Sequence, residues 1–230
     1  MNRNVLELHG ESSELIADSE GFTTYHVMRA GIRRWPFPHI AVNTFFHPAV
    51  YGILLAAMPS HTHFRTLQEL ARVSASYPTE RKVVPLDILR ELPKWSALMK
   101  WLASDRFLAV ICAKFGIDAQ FPPDILLCRD APGYFLGPHT DAPHKRLSMI
   151  VYLSDENMTD PARGTHIYLP RKYGFACPGG PHYSVTDFAR IATFPYAQNH
   201  AFAFKKTNNS FHGVEKAPES RTVLIYDLRG

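Results

Sequence analysis

Between residues 137 and 154 the chain reads GPHTDAPHKRLSMIVYLS, a turn-rich stretch that runs into an alternating apolar segment. In an extended chain residues two apart share a face, so Ser148, Ile150 and Tyr152 point one way while Leu147, Met149 and Val151 point the other. The same parity lets His139 and Asp141 project together from one strand or its end. Other short β-rich runs accompany this one: DILLCRD (124–130), GTHIYLP (164–170), DFARIATFPY (187–196), HAFAFKK (200–206) and TVLIYDL (222–228), with Pro, Gly and Asn between them. Short strands at this spacing predict an antiparallel barrel or sandwich over residues 120–230.

Upstream the periodicity changes. HPAVYGILLAAMPS (47–60) places Pro48 near a first helical position, repeats apolar Val50, Leu54, Ala57 and Met58 at helical intervals, and closes at Pro59. Two more helices are expected within 87–116: Pro93 and Lys94 open one, Ser104 with Asp105 caps the next, and Gly116 ends it. WPFPHIAVNTFF (35–46) reads as an edge strand leading into the fold. The expectation is one α+β domain spanning residues 1–230. Its residues 1–119 are mainly helical and pack on one outer face of a β core over 120–230.

Composition narrows the class. With 230 residues, 46% of them hydrophobic, the chain is long enough to bury a substantial core. It has no apolar run of about 18 residues, and its first residues lack a basic patch followed by an apolar stretch, so a cytoplasmic protein without a membrane span is expected. Cys112, Cys128 and Cys177 are odd in number and far apart, and they read as buried thiols rather than a disulfide framework. The net charge of +4 is spread over small clusters, IRRW, ERK, HKR and PRK. That is too diffuse for a nucleic-acid stripe and reads as a solvated, mildly basic surface.

The chemistry-bearing residues lie in two places. His139 and Asp141 stand before one strand, and NNSFHGV (208–214) places His212 before another. Two imidazoles and a carboxylate form the facial triad of non-haem Fe(II) oxygenases, which leaves open positions on the metal. In a chain with 12 histidines a His-x-Asp pair also arises as a surface or turn pair. Arg221 opens the apolar run that follows His212. An arginine on an inward strand is costly to bury unless an anion meets it, and its planar fork suits a carboxylate. The other reading pairs Arg221 with Asp227 or Glu219 at the surface. Tyr152 either offers its hydroxyl to the same anion or packs in the core. Lys145 and Arg146 read as turn charges or as groups meeting an anionic substrate, and His144 and His166 as solvated or core histidines.

Taken together, RDAPGYFLGPHTDAPHKRLSMIVYLS (129–154) and NSFHGVEKAPESRTVLIYDL (209–228) resemble the Fe(II)- and 2-oxoglutarate-dependent dioxygenases, in the branch that includes the prolyl hydroxylases. GTHIYLP and HAFAFKK fall where that family keeps intervening strands, and PFPHIAVNTFFHPAVYGIL (36–54) resembles its usual lead-in. The resemblance implies a double-stranded β-helix, a jelly-roll or cupin-like core, with His139, Asp141 and His212 as iron ligands and catalytic centre. It implies that Arg221 holds the distal carboxylate of 2-oxoglutarate, that Tyr152 assists it, and that Arg129 lies near the cosubstrate's other end. The implied reaction hydroxylates an unactivated C–H bond using Fe(II), 2-oxoglutarate and O2, with release of succinate and CO2. Asp141 fits hydroxylation or desaturation, because halogenating relatives have a small residue there.

Some features depart from the family. Val223 stands where many members have Ser, and the loop 170–190 has no generic counterpart, reading either as a substrate lid or as a packed excursion. Repair enzymes of nucleic acids carry a second inward arginine where this chain has Asp227, so a nucleic-acid substrate is not expected. A small-molecule substrate is expected, with hydroxylation of a peptidyl residue and a non-catalytic metal-binding cupin-like protein as alternatives. The motifs leave the oligomeric state open.

Overall fold

The structure, a computed structural model, describes residues 3–70, 78–155 and 160–230. Among the described residues, five α-helices occupy the first half: α1 (Arg3–Arg29), α2 (Pro48–Ala56), α3 (Leu86–Glu91), α4 (Pro93–Leu102) and α5 (Asp105–Phe115). The expected start and stop signals operate. Pro48 and Pro93 begin their helices, Ser104 Oγ accepts the Phe107 N–H at 3.2 Å, and Gly116 ends α5 at φ 57°. The long α1 and the short α3 are helices for which the sequence carried no expectation.

Strands in the first half are β1 (His39–Val42), β2 (Arg65–Thr66) and β3 (Arg81–Val84). Those in the second are β4 (Asp124–Asp130), β5 (Leu136–His139), β6 (Lys145–Tyr152), β7 (Asp160–Pro170), β8 (Phe188–Tyr196), β9 (Ala201–Lys205), β10 (His212–Val214) and β11 (Arg221–Arg229). Every β-rich run read from the sequence is therefore a strand. They form two antiparallel sheets, one seven-stranded in the order β1-β9-β6-β11-β4-β3-β2 and one four-stranded in the order β5-β10-β7-β8. WPFPHIAVNTFF does supply an edge strand, since β1 ends the larger sheet. The expectation of a mainly helical first half needs one correction. β2 and β3 lie within it, and β3 pairs with β4 from Arg81↔Asp130 to Val84↔Leu127, so the larger sheet crosses the boundary near residue 120.

Alternation separates two environments. On β6 and β11, Leu147, Met149, Val151, Leu224, Tyr226 and Leu228 are buried in one cluster with Ile16 and Val27 of α1, Leu54 of α2, Trp95 and Leu98 of α4, and Phe107 and Ile111 of α5. The helices thus cover one face of the larger sheet, as expected. The opposite parity, Ser148, Ile150, Arg221, Val223, Ile225 and Asp227, lines a cavity on the other face. Among the described residues no helix is long and apolar enough to cross a membrane.

The cysteines are free. Cys128 and Cys177 are buried as expected, while Cys112 is only partly covered. Burial pushes the Cys128 thiol up to about 12. Cys128 is therefore expected to resist iodoacetamide at pH 8 in the native protein and to react in urea, which peptide mass mapping checks. Trp95 is fully buried and its indole N–H donates to Ala57 O at 2.7 Å. Trp95→Ala is expected to cost about 3–5 kcal/mol, read from the urea midpoint at unchanged slope. A loss below about 1 kcal/mol would show that the helical layer is not packed as one core with the sheet.

Candidate metal centre

β5 ends on His139 and β10 begins on His212, and the two are direct partners in the antiparallel pair, with ring centroids 4.3 Å apart. Asp141 stands just past the end of β5, not within the strand. One donor atom from each of His139, Asp141 and His212 lies within 4.8 Å of the others. The separation in sequence is closed by a single strand pairing.

The protonation of these groups suits metal ligation. His139 Nδ1 lies 2.9 Å from Gly137 O, and His212 Nδ1 lies 3.0 Å from Ser210 O. A carbonyl only accepts, so Nδ1 carries a proton on each ring and Nε2 is the nitrogen turned away from the backbone contact. Burial, followed by the neighbouring His212, holds the His139 pKa well below its ordinary value, which keeps the ring neutral. Burial alone would raise the Asp141 carboxyl, but Lys145 and the Ser148 hydroxyl help to outweigh it and hold Asp141 below the usual carboxylate range. A neutral His139 beside an ionised Asp141 suits a divalent cation.

A polar network steadies Asp141. Ser148 Oγ is 2.7 Å from Asp141 Oδ2 and 2.6 Å from Asp227 Oδ1, while Lys145 Nζ is 3.3 Å from Asp141 Oδ1 and 2.7 Å from Asp227 Oδ2. Ser148 has one proton and can donate to only one carboxylate at a time. Burial raises the Asp227 carboxyl, so a proton shared between the two acids favours Asp227. Lys145, read from sequence as a turn charge, is instead held cationic by these acids.

Arg221 and Asp227 share one face of β11, about 20 Å apart along the strand. Arg221 is buried, and so the surface pairing with Asp227 or Glu219 does not form. Its Nε donates to Asp130 Oδ2 at 2.7 Å and its Nη1 to Arg163 O at 2.9 Å. Arg81 grips the same carboxylate, Nε to Oδ1 at 2.6 Å and Nη2 to Oδ2 at 2.8 Å, and stacks over the Tyr134 ring at 4.5 Å. Burial would raise the Asp130 carboxyl, yet the two guanidiniums outweigh it and keep it ionised. A cavity of about 530 Å³ contains both regions, with the histidines and Asp141, Arg81 and Arg221 all on its wall.

Neither Arg129 nor Tyr152 is among the residues of the cavity wall. Arg129 sits on β4 beside the inward Asp130, so alternation turns it to the opposite face, where it meets the His61 ring at 2.5 Å and stacks on Phe64. Tyr152 does take the inward side, but it lies behind the cavity wall, packed against Tyr196, and its hydroxyl donates to Thr165 Oγ1 at 2.8 Å. Thr165 itself is on the wall. Arg81, Asp130, Thr165 and His182 escaped the sequence reading. Arg81 shares a strand face with Val83, and Asp130 shares one with Cys128, but the sequence alone does not say that these faces turn inward. His166 is fully buried, its Nδ1 within 2.9 Å of Thr193 Oγ1.

The 170–190 loop is anchored at a few side chains, and most of its other residues are exposed. Phe175, Cys177 and Tyr183 join Tyr168, Phe188 and Phe211, Thr140 Oγ1 donates to Cys177 O at 2.8 Å, and Tyr183 N donates to Pro138 O at 2.9 Å. Gly179, Gly180 and His182 contribute to the cavity wall, the His182 ring 4.6 Å from His139.

No protein-family model matches the chain, and no curated protein matches it by sequence. Solved structures do match by shape. One prolyl 4-hydroxylase, from Phytophthora capsici, superposes with a TM-score of 0.54 at 18% identity over 95% of this chain, which spans 65% of that protein's length. Another, from Pseudomonas putida, gives 0.57 at 12% identity over 92% of this chain and 99% of its own. The epimerase SnoN, solved with Fe3+, α-ketoglutarate and nogalamycin RO, gives 0.50 at 16% identity over 93% of this chain and 84% of its own. At these identities the likeness establishes a shared fold of helices and antiparallel sheets.

Gly179 has φ +139°, and a Cβ there would stand 2.7 Å from Asp141 O and 2.7 Å from Pro143 Cδ. Gly179→Ala is expected to push the loop off the Asp141 segment and to cost about 1–3 kcal/mol, seen as a lower melting temperature and faster proteolysis within 171–187. An unchanged melting temperature would mean that the loop is not seated on this segment.

Proposed function

We propose that this chain is a 2-oxoglutarate- and Fe(II)-dependent oxygenase that hydroxylates a C–H bond of a small molecule. One observation carries the reading: His139, Asp141 and His212 converge on the wall of a cavity that also holds the buried Arg221. We read the two sheets as the halves of a double-stranded β-helix, and residues 1–230 as one domain.

In this reading Nε2 of His139, Nε2 of His212 and a carboxylate oxygen of Asp141 hold the iron. Bound there, Fe(II) with 2-oxoglutarate and O2 supplies oxidising power for an unactivated C–H bond, with succinate and CO2 as co-products. The chain's residues orient and exclude. Gly137 O and Ser210 O fix the two imidazoles in the tautomer that ligates. Arg221 receives the distal carboxylate of the cosubstrate, with the Thr165 hydroxyl on the same wall. Ile150, Val223 and Ile225 keep the space between metal and guanidinium apolar, which strengthens the charge interactions at both ends. His182, Gly179 and Gly180 bound the cavity beside the metal ligands, where substrate would meet the iron.

The cavity volume of about 530 Å³ lies within the ordinary range for small-molecule sites and supports a compact substrate. A peptidyl substrate is the second reading, favoured by the prolyl 4-hydroxylases among the structures of like fold. A purely metal-binding protein has no use for a buried guanidinium in the same cavity as the histidines.

Wild-type protein is expected to bind Mn(II) and to release succinate from 2-oxoglutarate in the presence of Fe(II) and O2. His212→Ala and Asp141→Asn are each expected to weaken Mn(II) binding at least about tenfold. Arg221→Ala is expected to weaken 2-oxoglutarate binding by a similar factor while leaving Mn(II) binding intact. A wild-type protein that neither binds metal nor turns over 2-oxoglutarate sinks the proposal. Faster succinate release with prolyl peptides than with any metabolite pool selects the second reading.

A further inference from the structure

Asp130 poses an electrostatic problem for the anion end of the cavity. A buried Asp130–Arg221 pair alone would be neutral, and a neutral closed pair does not attract a carboxylate out of water. Arg81 changes that count. Its guanidinium takes Oδ1 at 2.6 Å and shares Oδ2 at 2.8 Å, while Arg221 meets Oδ2 through Nε only. Among the described residues, the Arg81 and Arg221 guanidiniums and the Asp130 carboxylate together carry one net positive charge. Arg163, whose backbone carbonyl holds Arg221, does not add to it, because Glu219 meets the Arg163 guanidinium at 2.9 Å.

We infer that Arg81 is a positioning residue that makes this end of the cavity an anion site: by taking up the charge of Asp130 it leaves that of Arg221 for a ligand carboxylate. The inference rests on the proposed cosubstrate role of Arg221 and adds a requirement to it. Arg81 lies on β3, outside the stretches that carry the metal ligands, and both Arg81 and Arg221 line the cavity. Asp130 acts as the hub. It aims Arg221 through Nε, and Arg163 O and Gly164 O fix Nη1, so the orientation of Arg221 is set before any ligand arrives. Affinity for a distal carboxylate then follows the formal charge of Arg81, Asp130 and Arg221 together.

Calorimetric titration of the Mn(II)-loaded protein tests this with two probes, 2-oxoglutarate and 2-oxobutyrate, which lacks the distal carboxylate. Arg81→Met leaves no net charge and is expected to weaken 2-oxoglutarate at least about tenfold while leaving 2-oxobutyrate unchanged. Arg81→Met combined with Asp130→Asn restores one positive charge and is expected to return 2-oxoglutarate affinity to within about threefold of wild type. Asp130→Asn alone, with two positive charges, is expected to bind at least as tightly as wild type. Wild-type affinity in Arg81→Met overturns the inference, as does a double variant that melts like wild type yet shows no recovery. If Arg81→Met fails to fold, the Asp130→Asn and double variants decide, and a loss beyond about tenfold in both overturns it. A wild-type protein that binds neither 2-oxo acid defeats the proposed function itself, an outcome distinct from wild-type binding that Arg81→Met leaves intact.

Discussion

Removing a carboxylate or a guanidinium from water costs several kcal/mol unless an opposite charge and hydrogen bonds receive it. The interior of this protein meets that requirement at two points. Asp130 lies between Arg81 and Arg221, and Asp227 with Asp141 encloses Lys145. Each cluster joins strands far apart in sequence, so the ion pairs tie the sheet together where the cavity would otherwise weaken it. The cavity is polar at its two ends and apolar between them because only its ends hold partnered charge.

Alternation makes such an interior compatible with a stable core. Each long strand of the larger sheet serves two environments, Leu224, Tyr226 and Leu228 against the helices and Arg221, Val223, Ile225 and Asp227 toward the cavity. Helix burial therefore stabilises the sheet from behind, while the cavity face is free to carry groups that contribute little to packing. A shift of register by one residue would exchange the faces and bury the charges among the helices. The pairing of β11 with both β4 and β6 over most of its length is what excludes that slip.

The metal candidates follow another logic. His139 and His212 face each other across a short strand pair in the smaller sheet, and their rings are oriented by backbone carbonyls of their own segments. The tautomer is thus set locally, while the distance between the rings is set by a long-range pairing. Asp141, just past β5, is held by Ser148 and Lys145 from the larger sheet, so the trio belongs to the smaller sheet while its carboxylate is fixed from the larger one.

Much of this was legible in the sequence because it is written in local patterns. The β-rich runs, the caps at Ser104 and Gly116 and the prolines that open α2 and α4 follow from periodicity, propensity and residue chemistry, whereas the grouping of His139, Asp141, His212 and Arg221 in one site was implied by the family resemblance of their motifs. What tertiary structure decided is the inner or outer face of a strand and the partner of a charge. ERK looked like surface, yet β3 carries Arg81 inward to Asp130, and Arg129 turns outward because its neighbour faces in. Tyr152 reached the inner side only to find Thr165, and Lys145 found two acids instead of solvent. A strand sequence fixes the alternation of its side chains but not which parity meets the cavity, and that choice is made by pairing with strands distant in the chain.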